Sequence, residues 1–196
     1  MSQPAVPAER RPANHGPKVA ARNRDALIAA AREIYAAHGL DAPLSAIARR
    51  AGVGQGVLYR HFPDRTAVAI AVLEENVRQI EQAAAAEGAL FDDVLGVLTW
   101  HLTESAAFLG LLHANGATGH ADALAHALVL SGRVESALRQ HLPKGHRLDA
   151  SNDLMLAVAM VSGAVGGPTR EVRERRAVAA WRMLGVQVGP VRPFEG

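Results

Sequence analysis

The chain has 196 residues, of which 49% are hydrophobic and only 4% aromatic, and it contains no cysteine. The absence of cysteine excludes disulfides, thiolate zinc sites and cysteine nucleophiles. There is no run of about 18 uncharged apolar residues, and the N-terminus lacks the apolar core of a secretory signal, so we expect a cytoplasmic protein that does not enter a membrane.

The net charge of +2 is unevenly distributed along the chain. Residues 1–66 contain ten Lys and Arg against five Asp and Glu, whereas residues 67–196 contain eleven against fourteen. A basic head joined to an acidic body is expected where one end of a protein meets a polyanion. Random scatter of charge would also explain so small a difference.

The N-terminal region predicts an arm followed by a helix. Residues 1–20 are rich in Pro, Ala and polar residues and show no apolar periodicity, which predicts a disordered arm. The next apolar stripe predicts a helix over about residues 24–38, which Gly39 ends.

The segment LSAIARRAGVGQGVLYRHF, residues 44–62, predicts two short helices joined by a tight turn. Ile47 can face inward from the first helix, and Gly52 can supply the left-handed backbone of the turn. Leu58 and Phe62, four residues apart, form the buried stripe of the second helix. This arrangement is typical of a helix-turn-helix.

The second of these helices leaves six residues available to face something other than the core. They are Gln55, Gly56, Val57, Tyr59, Arg60 and His61. A short helix that presents polar, aromatic and basic groups outward is suited to lying in a major groove of DNA. The sequence therefore predicts a DNA-binding head.

The rest of the chain is predicted to be helical, which gives about nine helices and an all-α fold without internal repeats. After the helix-turn-helix, the predicted helices cover residues 65–86, 90–104, 106–113, 121–141, 152–165 and 170–186. The predicted organisation is a disordered arm (1–20), a DNA-binding domain (21–66) and a larger helical domain (67–196), to which the resemblance given next assigns ligand binding and dimerisation.

Residues 24–75 resemble the N-terminal domain of TetR-family transcriptional regulators. The string AGVGQGVLYRHFPDR carries the resemblance, since its Gly, Leu, Tyr, Phe and Pro positions occur together in one register. The resemblance implies a three-helix head on a larger helical body that binds a small molecule and forms a homodimer. Each head would place its recognition helix in the major groove of a palindromic operator in double-stranded DNA.

Carried over by position, the resemblance implies that Gln55 and Val57 face bases. It implies phosphate contacts for Tyr59 and His61, whose side chains cannot join the buried face of their helix. Arg60 could pair with a guanine or lie at the rim of the interface.

Two further residues match positions that contact the DNA backbone in the family. Arg65 stands where a Lys commonly reaches a phosphate, and Ser45 lies near a backbone-contact position. The chain also departs from the family pattern. Gly54 stands where Ser or Thr often caps the recognition helix, and Val57 replaces a common Thr, which exchanges a hydroxyl for apolar contact with a thymine methyl.

The last two predicted helices supply a candidate dimer interface. Its predicted residues are Leu154, Val158, Val161, Val165, Val178 and Trp181. Two such helices from each of two subunits can form a four-helix bundle. Burial of the same residues within one subunit is the alternative.

A small-molecule pocket is predicted in the body from residues that could line an apolar cavity with a few polar groups. They are Trp100, His101, Phe108, Leu112, His113, Met155 and Met160. Ordinary core packing would explain each of them as well. The histidines show no compact ligand pair and the chain has no cysteine, so no metal or other cofactor is predicted.

Together with the resemblance, the sequence predicts a dimeric transcriptional regulator, a repressor that a small-molecule effector releases from its operator, and not an enzyme. One alternative is an all-helical small-molecule-binding protein or enzyme with a vestigial head, and another is an architectural DNA binder without a ligand. The intact surface from Gln55 to Arg65 disfavours the first alternative.

Overall fold

The computed structural model describes residues 16–39, 41–105, 121–149 and 153–195, with residues 121–124 described by backbone alone. These residues form eight α-helices and no β-strand. The helices are α1 (Gly16–His38), α2 (Leu44–Arg50), α3 (Gln55–His61), α4 (Arg65–Ala85), α5 (Phe91–Glu104), α6 (Ala121–Arg139), α7 (Asp153–Ala164) and α8 (Arg170–Met183). The predicted all-α class is confirmed, and the helix predicted at 106–113 lies outside the described residues.

Helix α1 begins at Gly16, eight residues before the predicted start. Residues 16–22 are exposed, so no apolar stripe marks them in the sequence. Pro17 fixes the backbone near the helical φ at the first turn, where its missing N–H has no cost. Residues 16–20, which were predicted to belong to a disordered arm, are therefore helical, and residues 1–15 lie outside the described part of the chain.

The head folds around apolar residues of α1, α2 and α3. Leu27, Tyr35, Ile47 and Leu58 are each at most 1% exposed. Between α2 and α3 the chain turns at Gly52, whose φ of +69° is in the left-handed region that a Cβ would disfavour. The predicted turn and the predicted buried face of α3 are confirmed.

Helix α4 belongs to the head and to the body at once. Asp64 caps its N-terminus, with the carboxylate accepting a hydrogen bond from the Ala67 N–H at 2.8 Å. The helix packs against α1 in the head and against α5 and α6 in the body. It buries Val68 and Val72 near its start and Ile80 farther along, so one continuous helix joins the two parts.

The body holds α8 against α5 through a buried tryptophan. Trp181 is fully buried, and its Nε1 donates a hydrogen bond to the Thr99 Oγ1 at 2.9 Å. The Thr99 hydroxyl in turn donates to the Leu95 carbonyl at 2.7 Å. None of the helices in the described residues has the length and apolar character needed to cross a bilayer.

The chain that follows α8 runs back over α5. The Gly189 N–H donates a hydrogen bond to the Asp92 carbonyl at 2.9 Å. Gly96, in the middle of α5, faces this returning segment so closely that a Cβ built on it would lie 2.5 Å from the Pro190 carbonyl oxygen. Glycine at position 96 therefore allows the C-terminal segment to lie on α5.

We expect Gly96→Ala to lower the free energy of unfolding by about 1–3 kcal/mol, because the added methyl displaces the Pro190 backbone. Gly132→Ala is the matched control, since Gly132 is also inside a helix but a Cβ there meets nothing within 4 Å. Helix propensity alone should make that variant up to about 1 kcal/mol more stable. Urea unfolding of both variants measures the difference, and equal stabilisation would contradict the close approach.

Candidate DNA-binding surface and ligand cavity

The outward surface of α3 has the composition that DNA contact requires. Gln55, Gly56, Tyr59 and Arg60 are exposed, and Tyr59 retains 54% of its accessible surface. Leu58 and the following Phe62 hold the other side of the helix in the head core. The helix is thus fixed on one side and free on the other.

The partly buried members of this surface lie at its margins. Val57 and His61 are half-buried, and the His61 ring packs at a tilt against the Phe62 ring with 6.1 Å between centroids. Ser45 is half-buried near the start of α2. As expected, Gly54 provides no side-chain cap for α3.

Two basic side chains near α3 already have intramolecular partners. The Arg60 Nε donates a hydrogen bond to the Gly56 carbonyl at 3.1 Å, which holds the guanidinium along its own helix. Arg65, in the first turn of α4, lies 4.0 Å from the exposed carboxylate of Asp41. This weak, solvent-screened pair leaves Arg65 available to a stronger anion such as phosphate.

The fold brings one more cation to this region. The Arg24 guanidinium lies 5.6 Å from the centre of the Phe62 ring, within the range of a cation–π contact. The two residues are far apart in sequence, so no local pattern could have placed Arg24 beside the end of α3.

A cavity of about 370 Å³ opens between α4, α5, α6 and α7. Most of its lining is apolar, and none of the lining residues in the described part of the chain is Asp, Glu, Lys or Arg. The polar lining residues are Asn76, His101, Ser105, Ser131 and Ser162. Such a mostly apolar cavity with a few polar groups is typical of a small-molecule site.

The structure places the predicted pocket residues differently from one another. His101 and Met155 line the cavity. Trp100 and Met160 do not: the Trp100 ring lies nearly perpendicular to the His101 ring, and Met160 is 54% exposed. The three remaining predicted residues, Phe108, Leu112 and His113, lie outside the described residues. Asn76 and Ser105 were not predicted, because the periodicity of single helices does not show where four helices leave a gap.

A polar chain connects the cavity to the head. The Arg32 guanidinium of α1 donates a hydrogen bond to the Asn76 Oδ1, and the Asn76 Nδ2 donates to the Ser105 Oγ at 2.7 Å. Burial lowers the pKa of Arg32, whereas the charges of Glu75 and Glu104 act in the opposite direction. Asn76 thus contacts the first helix of the head while lining the cavity of the body.

His101 contributes a buried imidazole to the wall of the cavity. The residue is 3% exposed, and neither nitrogen has a hydrogen-bond partner within the described part of the chain. Burial lowers the pKa of His101 to about 3, an effect that the positive charge of Arg32 reinforces and Glu75 opposes. The imidazole is therefore neutral at physiological pH. No group of three His, Asp or Glu side chains suited to a metal ion occurs among the described residues.

We expect His101 to make the protein less stable in mild acid. Its pKa is lowered from 6.5 to about 3 in the folded state, so the unfolded chain binds the proton more readily as the pH falls below 6.5. Stability is then lost with a slope of up to about 1.4 kcal/mol per pH unit. Urea unfolding between pH 7 and 5 should show a flatter dependence of the free energy of unfolding on pH for His101→Leu than for the wild type. Identical profiles for the wild type and His101→Leu would contradict this assignment.

The structure places most of the predicted dimer-interface residues in the interior of the single chain. Leu154, Val158, Val161, Val165 and Trp181 are all buried within the single chain, and only Val178 is exposed, at 40%. Helix α7 is apolar around most of its circumference, so its periodicity could not show which side faces the interior. Burial within one subunit, the alternative interpretation, describes these five residues.

Helices α7 and α8 also carry apolar residues that are exposed, on sides of the helices other than those that the buried residues occupy. Leu156 and Met160 of α7 are 57% and 54% exposed. On α8, Met183 is 86% exposed and Val178 is 40% exposed. The sequence missed Leu156 and Met183 because nothing local distinguishes an exposed apolar residue from a buried one.

A helix-turn-helix with one free helix, joined by a shared helix to a larger helical body with a cavity, defines a DNA-binding regulator of the helix-turn-helix class. Residues 27–72 match the model of the bacterial regulatory proteins of the TetR family. No curated protein matches the chain.

Solved structures extend this likeness beyond the head. A TetR transcriptional regulator from Streptomyces coelicolor is 26% identical, with a TM-score of 0.58, over 88% of this chain and 99% of that chain. A TetR transcription regulatory protein from Mycobacterium vanbaalenii is 32% identical over 88% of this chain and 99% of that chain, with a TM-score of 0.48. The first is similar in fold and sequence, and the second is related here by its sequence identity alone.

A third structure shows the same fold at lower identity. The TetR-like transcriptional regulator LfrR from Mycobacterium smegmatis, in complex with proflavine, is 18% identical, with a TM-score of 0.53, over 83% of this chain and 96% of that chain. The protein belongs to the TetR family of transcriptional regulators.

Proposed function

We propose that the protein is a dimeric repressor that binds a palindromic operator and is released from it by a small molecule. The observation that carries this proposal is the hydrogen bond between Arg32 and Asn76, which joins the head to the wall of the cavity. A molecule that binds in the cavity thereby meets a residue that also holds the first helix of the head.

The DNA-contacting part of the proposal uses the free surface of α3 and its margins. Gln55, Gly56 and Val57 would approach the bases, whereas Tyr59 and His61 would contact phosphates. The remaining proposed contacts are Ser45, Arg60 and Arg65. The exposure of α3 and the weak pairing of Arg65 support these roles.

Dimerisation is proposed through the exposed apolar residues of α7 and α8. Two helices from each subunit would pack as a four-helix bundle and cover Leu156, Met160 and Met183. Burial of these side chains favours association, because apolar surface leaves water. The two heads must then present their α3 helices about 34–36 Å apart to reach successive major grooves.

Release requires that the small molecule bind one arrangement of the heads better than the other. The chain Arg32–Asn76–Ser105 crosses from α1 to the end of α5, so a ligand that moves Asn76 changes the contact between head and body. The proflavine complex of LfrR, a protein of similar fold, is consistent with a small molecule in such a body.

The direct test is footprinting on the DNA that flanks the coding region. We expect the purified protein to protect an inverted repeat at physiological salt, with a symmetric pattern and a stoichiometry of two chains per repeat or a multiple of two. Failure to bind duplex DNA by a folded protein would overturn the proposal.

We expect Arg65→Ala to weaken binding to operator and random DNA by similar factors, because a phosphate contact carries no sequence information. The slope of log K against log salt concentration should become shallower by about one unit. Lys144→Ala, which removes one positive charge from an exposed loop of the body, is the control and should leave the slope unchanged. A selective loss of operator binding would contradict the phosphate role of Arg65.

A further inference from the structure

Among the described residues, the wall of the cavity carries no formal charge. Its lining residues are apolar apart from one amide, one imidazole and three serines. An ion placed there would lose its hydration without gaining a counter-ion, which is unfavourable. The cavity therefore favours an uncharged occupant.

The nearest cation does not change this conclusion. Arg32 is not among the described lining residues, and its guanidinium donates a hydrogen bond to Asn76, which lines the cavity. Glu75 and Glu104 are close enough to oppose its charge electrostatically. These two carboxylates therefore partly cancel the electrostatic field of Arg32 at a molecule in the cavity.

His101 adds a specific requirement to this apolar wall. A neutral imidazole has one N–H donor and one nitrogen acceptor, and both lack a partner within the described residues. A buried polar group without a partner is unfavourable, so an occupant that hydrogen-bonds to it gains affinity. A hydroxyl can donate or accept, and a carbonyl can accept.

We infer that the effector is an uncharged, mainly apolar molecule with a hydroxyl or carbonyl group that hydrogen-bonds to His101. This inference rests on the proposed function, since it names the class of molecule that would release the repressor. The volume of about 370 Å³ is within the range of sites that hold small molecules. Asn76 and Ser105, which lie on the same wall, connect this site to the head.

The test compares four probes that share one ring system and differ in their polar group. Naphthalene has none, 2-naphthol has a neutral hydroxyl, 2-naphthoate is an anion, and 2-naphthylmethylammonium is a cation at neutral pH. Calorimetry on the full chain without DNA measures each affinity. We expect 2-naphthol to bind about tenfold more tightly than naphthalene, and both ions to bind more weakly than 2-naphthol.

Two variants at position 101 assign the preference to the imidazole. His101→Leu should keep the affinity for naphthalene and remove the advantage of 2-naphthol, whereas His101→Gln should retain part of that advantage because its amide can donate and accept. His38→Leu, on the exposed end of α1, is the control for loss of a histidine. Circular dichroism verifies that each variant is folded.

Three outcomes would overturn the inference. One is that none of the probes binds, another is that 2-naphthoate or the ammonium binds as tightly as 2-naphthol, and the third is that His101→Leu keeps the full preference for the hydroxyl. Because these measurements contain no DNA, they fail or succeed independently of the proposed function. That function fails separately if the chain does not bind an operator, or if a bound probe leaves the operator complex unchanged.

Discussion

A chain that carries Leu156→Glu together with Met160→Glu is expected to be monomeric and to bind its operator about 100-fold or more weakly than the wild type. Both side chains are more than half exposed in the single chain, so the substitutions should leave its fold intact. In the proposed bundle they would bring four carboxylates into an apolar interface, where unpaired charge is strongly unfavourable. Loss of the second head removes the gain in affinity that comes from linked binding.

The matched control for this pair is Leu128→Glu with Val129→Glu on α6. These residues are 66% and 60% exposed, and the change in net charge is the same. Analytical ultracentrifugation gives the oligomeric state, and mobility shifts give the affinity for DNA. If the α6 variant dissociates while the α7 variant stays dimeric, the interface has been placed on the wrong helix.

Trp181→Ala is expected to lower the free energy of unfolding by about 3–5 kcal/mol. The indole is fully buried between α8 and α5, and its removal leaves a cavity that the surrounding helices can fill only in part. The Thr99 Oγ1 also loses its donor. Because α8 contributes to the proposed dimer contact, this variant should dimerise poorly even where it remains folded.

The other tryptophan of the chain is the control. Trp100 is only half-buried, so in urea unfolding Trp100→Ala should lower the free energy of unfolding clearly less than Trp181→Ala does. Trp181→Phe, which keeps most of the ring but not the N–H, should fall between the wild type and the alanine variant. If the two alanine variants lost similar amounts of unfolding free energy, the difference in burial between Trp181 and Trp100 would be contradicted.

The head could be predicted from its sequence because its signals are local. Gly39 and Gly52 have the positive φ values that their positions in the pattern require. The i, i+4 spacing of Leu58 and Phe62 fixes which side of α3 is buried, and the free side follows. Asp64 caps α4 as its residue type predicts.

The body could be predicted only as far as the existence of its helices. Glycine and proline mark most of the helix ends, but α7 is apolar on nearly all sides, so its sequence does not show which of its sides is buried within the chain. The start of α1 had no apolar periodicity to reveal it.

The cavity and its link to the head depend on contacts between residues that are distant in sequence. Arg32 and Asn76 are 44 positions apart, and no local pattern predicts that they meet. The gap itself exists because four helices do not fill the space between them, which is a property of their packing and not of any one helix.

The sharing of α4 has a consequence for anyone who wishes to exchange recognition specificity between relatives. A head that is transferred between relatives with its boundary at residue 66 would lack Val68 and Val72, which its core requires. The 21-residue helix is about 30 Å long and continuous, so it has no hinge between the head and the body. A functional chimera therefore has to include α4 together with the donor's head, and the C-terminal end of α4 must still pack against the recipient's body.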